Sequence, residues 1–279
     1  MARALHRPLC GALVALALLG SSARAQTAGV PDVVEKLLQG FSSPDCLRRW
    51  QAIEEYTDRM IGRVLSYTEP VAEVTDGLRE LGPAKGPAVE QKVQMVSGYA
   101  DEAGAAFARV AKLSASVDRS GPPLTVWRKG LPPLTKVLDD PAEPFMTRRL
   151  AAGVIAESAR KSSIARNAGW GEPLPRLLTS QDPTARLLGG IIAAAGGFLP
   201  NQAPTKVRVV PELLRGLDAD SFAARYESTR ALLVVSKQPI ERYCVDPSDR
   251  APDRVGGVQA WQTWWEQSKA RLAVETIEQ

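Results

Sequence analysis

The sequence predicts an all-α protein, an array of about five stacked helix pairs closed by a C-terminal cap helix. Three observations carry this reading. Apolar residues recur at three- and four-residue steps, while strand-type alternation is scarce. Pro and Gly interrupt the pattern so that short and long segments alternate. The long segments start near residues 45, 86, 144, 184 and 221. Most of the resulting spacings (41, 58, 40 and 37) lie near the roughly 40 to 47 residues of two-helix repeats.

Taken in order, the first segment is not part of the fold. Arg3, His6 and Arg7 precede an apolar run from Leu9 to Gly20, and Ala23-Arg24-Ala25 supplies a small-x-small cleavage pattern. The run is shorter than the roughly 18 residues of a spanning helix, and no Cys follows it to take a lipid. Residues 1–25 are therefore expected to be a cleaved secretory signal. Arg3, Arg7 and Arg24 leave with it and no acid does, so a formal net charge of +4 falls by three to +1. The basic balance belongs largely to the signal and gives no reason to expect nucleic acid as a partner. Abundant Ala, and Arg in excess of Lys, point to a bacterial source, hence to the periplasm or the outside of the cell.

Residues 26–118 hold the N-terminal repeats. A short helix from Pro31 to about Gln39 is apolar at Val33, Val34, Leu37 and Leu38. Ser43-Pro44-Asp45 reads as N-cap, N1 and N2 of a longer helix carrying Leu47, Trp50, Ile53, Met60, Ile61 and Val64. Val71, Val74, Leu78 and Leu81 mark a second short helix stopped by Gly82-Pro83. Val89, Val93, Val96, Ala100, Ala103, Phe107 and Val110 then form a heptad seam. It fits either a long helix inside the array or an arm of an antiparallel coiled coil. Residues 119–130 are expected as a linker loop.

Residues 131–240 repeat more clearly. Short helices are expected to begin near Leu131, Leu174 and Val209, with Pro132, Pro175 and Pro211 opening them and Leu134, Leu177 and Leu213 two positions later. Asp182-Pro183-Thr184-Ala185-Arg186 is followed by Gly189-Gly190 and Ile191-Ile192, and Arg148 and Arg225 hold matching places. Asp caps the helix, Pro starts it, Arg can reach a neighbouring acid or carbonyl, and small residues admit the next helix. This Asp-Pro-x-x-Arg-x-x-small-small opening resembles the HEAT-repeat (armadillo-like) family. The resemblance covers about residues 130 to 240 and implies a right-handed α–α superhelix, a solenoid. Residues 241–279 are expected as a loop and a helix whose Trp261, Trp264 and Trp265 cover one side. That side caps the last apolar face of the array or, in the alternative, offers an aromatic platform to a sugar. Exported bacterial proteins of this family look similar at this end.

The sequence excludes several chemistries. Its one histidine, His6, leaves with the signal, so the mature chain cannot run a Ser-His-Asp or Cys-His mechanism or offer imidazole to a metal. Phosphate loops, Cys-x-x-Cys and His-Glu-x-x-His are absent. Ser158-Ala159-Arg160-Lys161 has the spacing of penicillin-binding proteins but lacks their partner motifs. The acid pairs Glu54-Glu55, Asp101-Glu102 and Asp139-Asp140 point in different directions on helices and suit no glycosidase pair. Asp246, Asp249 and Asp253 could hold calcium, though Arg250 and Arg254 interleave with them and would neutralise the cluster. Cys46 and Cys244 lie near opposite ends of the mature chain, and two buried free thiols are expected. A bridge, which an oxidising compartment permits, requires the ends to meet.

No catalytic, cofactor-binding or metal-binding residue is therefore assigned, and no cofactor is expected. The expected function is a non-catalytic scaffold for another envelope or secreted protein, with no nucleic acid and no stable membrane insertion after signal cleavage. The alternative, resting on Trp50, Trp127, Trp170 and the C-terminal group, is an envelope carbohydrate-binding protein or a histidine-free glycan-processing enzyme. A third reading is a module that assembles only with its own copies.

Overall fold

The computed structural model describes residues 30–64 and 71–277, with backbone alone for 59–64, 71 and 72. The expected signal, and the side chains of Met60, Ile61, Val64 and Val71, lie outside what is described. Among the described residues the protein is all-α, with one isolated bridge between Thr205 and Thr276. Five helices form an inner set: α2 (Cys46–Val64), α4 (Pro87–Ala115), α6 (Phe145–Lys161), α9 (Pro183–Ala194) and α11 (Phe222–Ser236). Each starts within one residue of the position the sequence predicts. Between them run α1 (Val30–Phe41), α3 (Val71–Leu81), α5 (Pro123–Asp139), α7 (Ser163–Asn167), α8 (Pro173–Leu177) and α10 (Lys206–Gly216), and α12 (Ala251–Leu272) ends the series.

The seam on α4 packs against several helices at once. Val89, Val93, Val96, Ala100, Ala103 and Val110 are buried, and α4 meets α2, α3, α6 and α11 rather than a single antiparallel partner. Two expectations need correction. The loop ends at Pro122, because α5 begins at Pro123 and carries Pro132 and Pro133 inside it. Pro211 likewise lies within α10. A proline already holds a helical φ and removes only one donor. Arg128 and Lys129, whose carbonyls lose their helical donors to Pro132 and Pro133, are exposed to water. Proline read as a helix opener therefore placed the start of α5 too late.

A local device recurs at the start of the inner helices. In α9, Asp182 Oδ1 accepts from Thr184 N at 2.8 Å, and Ser180 Oγ accepts from Asp182 N at 3.1 Å. In α2, Asp45 Oδ1 accepts from Leu47 N at 2.9 Å and Ser43 Oγ from Asp45 N at 3.1 Å. Asp45, not Ser43, is thus the cap. The arginine four residues beyond each cap folds back onto the preceding loop. Arg49 donates to the Ser43 and Pro44 carbonyls, Arg186 to those of Ser180 and Gln181, and Arg225 to those of Ala219 and Asp220. These bonds occupy carbonyls that would otherwise be desolvated at the turn. Arg148, 2% exposed, reaches the Leu138 carbonyl at 3.0 Å and Asp182 at 2.6 Å, tying α6 to the cap of α9.

Asp182 therefore serves two elements. Its replacement by Ala is expected to cost about 2 kcal/mol, from a lost cap and a lost charged hydrogen bond. Asp182→Asn, which keeps the cap, should cost about half of that. Urea midpoints check this, and equal losses in the two variants would refute the division. The small residues behave as the sequence suggests: a Cβ on Gly189 would stand 3.0 Å from Leu177 and Leu178, and one on Gly190 3.2 Å from Leu213.

The inner helices neighbour one another in chain order, α2 to α4 to α6 to α9 to α11. The last then returns: α11 packs on α4 and α6, and its Tyr226 reaches α2 through Trp50 and Thr57. One buried cluster accordingly joins α1–α4 to Met146, Phe222 and Tyr226. A second runs from Val110 to Ile277. At the end, α12 lies on α10. The tail folds back beside it, with Lys206 N donating to Glu275 O at 2.9 Å and Ile277 N to Pro204 O at 3.1 Å.

Candidate functional site

The face on which the inner helices converge is filled by their own side chains. Tyr226 is fully buried against Trp50, Tyr99 and Phe222 and shares a short hydrogen bond with Thr57. Tyr99 donates to Glu227 at 3.2 Å, and Arg149 also donates to Glu227, at 3.3 Å. Arg230 lies 5.6 Å from the Tyr226 ring centre, 3.9 Å from Glu54 and 3.4 Å from Asp58. Burial pushes both the Tyr99 and the Tyr226 hydroxyls up, so they stay protonated. Burial also raises the Glu54 carboxyl, against the pull of Arg230. Glu54 and Asp58 flank one guanidinium as its counter-ions, which is not the arrangement of an acid and a base facing each other across a cleft.

The ends of the chain meet in a second polar cluster. Cys46 and Cys244 form a disulfide across a sequence separation of 198, overturning the expectation of free thiols. The return of α11 to α2 brings the ends together, and no local pattern announces it. Beside the bridge, Asp246 accepts from Arg49 at 2.6 Å and from Lys92 at 2.8 Å, and Asp249 from Arg49 at 3.0 Å. Lys92 also contacts Asp249 and donates to Ser248 at 3.1 Å. Two of the three aspartates weighed as calcium ligands, Asp246 and Asp249, are thus counter-ions of two cations on α2 and α4. Arg250 pairs instead with Asp253, and Arg254 bonds the Asp249 carbonyl. No cluster able to hold a metal occurs among the described residues.

Burial alone would raise the Asp246 carboxyl, but Lys92, Ser248 and Arg49 outweigh it and hold it below the usual carboxylate range. The same balance, with Arg148 as the cation, lowers Asp182. A carboxyl depressed in the folded state adds stability that is present above its unfolded value and lost as pH falls through the folded one. The melting temperature is expected to hold down to about pH 5 and to fall below about pH 4. A midpoint unchanged at pH 3 would contradict the assignment.

The indoles give no exposed platform. Trp50, Trp127, Trp170, Trp261, Trp264 and Trp265 are all buried, and Trp261 packs on Tyr243 and Trp264 within the cap. The acid pairs divide among separate partners: Glu55 meets Lys36, Asp101 meets Arg79, and Glu102 accepts from Met146 N. In Ser158-x-x-Lys161, Lys161 pairs with Glu157 rather than with the serine.

A cleft of about 520 Å³ lies open between α4 and α5. Leu113, Pro132, Pro133 and Val137 supply its apolar lining, and Arg109, Lys136, Asp140 and Glu143 its charged lining, of both signs. Arg109 donates to Glu143 at 2.8 Å across one side. Pro132, read from sequence only as a helix opener, lines this surface together with Pro133. A lining that mixes apolar and charged side chains suits a protein or peptide partner. No family profile matches this chain, and no curated protein or solved structure proved similar to it.

Proposed function

We propose that the protein is an exported, non-catalytic scaffold built from HEAT-like helix pairs in a right-handed α–α superhelix, and that it binds another envelope or secreted protein. The observation that carries this reading is the recurring cap-and-arginine device at the start of the inner helices. It marks Ser43 to Arg49 and Ser180 to Arg186 as copies of one unit with identical spacing. Repeats of this kind supply extended binding surfaces. The disulfide supports export to an oxidising compartment. Because the converging inner face is filled, the reading places the partner on the outer cleft between α4 and α5.

The test is crosslinking and affinity capture of the tagged mature protein from its native envelope, read by mass spectrometry. A double charge reversal, Arg109→Glu with Lys136→Glu, runs in parallel. One or two envelope proteins enriched by the parent, and lost by a variant that melts normally, are expected. Recovery of glycan fragments instead, or equal capture by the variant, counts against the reading.

A further inference from the structure

On the face of α5 away from the cleft lies a smaller opening. Trp127 and Trp170 meet edge to face at 4.9 Å between ring centres, and Trp170 Nε1 donates to the Trp127 carbonyl at 2.9 Å. This bond fixes the two indoles as one wall of a cavity of about 50 Å³, whose other apolar lining includes Val126, Leu134 and Val154. Three polar side chains also line it: Ser114, Ser158 and Arg119. Ser158 is 5% exposed and lines the cavity from α6. A serine hydroxyl in a helix that lines a cavity can donate to a ligand there. Arg119 is exposed and makes no ion pair with a described residue.

We propose that this cavity is a binding site for a short aliphatic carboxylate. The apolar end of the ligand enters between the indoles and the valines, and the carboxylate is held by the Ser158 hydroxyl and the Arg119 guanidinium. Both groups donate hydrogen bonds, so the complementary ligand group is an acceptor carrying negative charge. Size sets the chain length. The cavity is about a third of the roughly 150 Å³ that accommodates benzene, so the buried apolar end of the ligand has about two or three carbons. A long acyl chain does not fit. The site is separate from the cleft assigned to a protein partner and does not depend on that assignment.

The test is a titration of the isotope-labelled mature protein with butyrate, followed by NMR at the indole N–H signals. Saturable shifts are expected at Trp127 and Trp170, with Trp261 and Trp264 in the cap unmoved. Butanol, which has the same apolar body and no charge, should bind at least about fivefold more weakly, and Arg119→Ala should remove that difference. Ser158→Leu fills the cavity and should abolish the shifts. Gly130→Ala is a second block, because its methyl would stand 3.3 Å from Trp170 Cζ2. Absence of saturable shifts overturns the site. Equal binding of butanol and butyrate overturns the anion assignment. Undiminished binding by a folded Ser158→Leu or Gly130→Ala variant overturns the location.

Discussion

Reducing the Cys46–Cys244 disulfide, or replacing both cysteines by Ser, lowers the stability of the folded protein by about 5 kcal/mol. The figure follows from the length of chain that the bridge closes. In the chain-entropy account a cross-link removes freedom from the unfolded ensemble in proportion to the logarithm of the loop, and a separation of 198 residues lies near the top of that scale. For a domain of this size each kcal/mol corresponds to about 2 to 4 °C, so the melting temperature should fall by about 10 to 20 °C. Circular dichroism melts with and without reductant measure it. Because total stabilities are typically about 5 to 15 kcal/mol, the reduced protein should be only marginally folded at physiological temperature. A loss below about 1 kcal/mol would mean that the packing of α11 against α2 already holds the ends together in the unfolded ensemble.

The second large effect belongs to Lys92. The side chain of Asp246 is fully buried and that of Lys92 nearly so, so Lys92→Met strands a carboxylate away from water. Removing one partner of a buried pair typically costs about 3 to 5 kcal/mol. The lower end is expected here, since Arg49 still faces the same carboxylate. The variant Lys92→Met with Asp246→Leu removes both charges and should recover most of the loss, because well-packed apolar replacements of buried pairs are often neutral. Urea unfolding of the two singles and the double gives the coupling between them. A double variant no better than the worse single would show that the cluster acts through its other bonds, to Ser248 and Asp249.

Much of the helical framework was legible in the sequence because its signals are local. Asp182-Pro183 caps and starts a helix by chemistry contained within three residues, and the apolar steps along α4 determine which of its sides is buried. The buried Trp261, Trp264 and Trp265 follow from their spacing in the same way. The start of α5 was not legible, since Pro132 reads as punctuation although the helix runs through it and Pro133. The short α7, capped by the Ser162 hydroxyl, left too few residues to show a period. The closure of α11 onto α2 was hidden for a different reason. Arg49 and Asp246 are 197 residues apart, and nothing near either names the other. One hint was available: Ser43, Asp45 and Arg49 have the same spacing as Ser180, Asp182 and Arg186. That identity relates the start of α2 to that of α9 and matches the way Arg49 and Arg186 each fold back onto the preceding loop.

The bridge between α2 and the loop before α12 also changes how the molecule carries load. Tension applied at residues 30 and 277 enters the chain at Cys46, crosses the sulfur–sulfur bond and leaves at Cys244. The helices between them lie outside the line of force. At about 3.3 to 3.6 Å per extended residue, roughly 650 to 700 Å of contour is thereby held out of reach of pulling. In a single-molecule trace the oxidised protein would lengthen only by its two short flanks, and adding reductant during the pull would release the hidden length in one late extension.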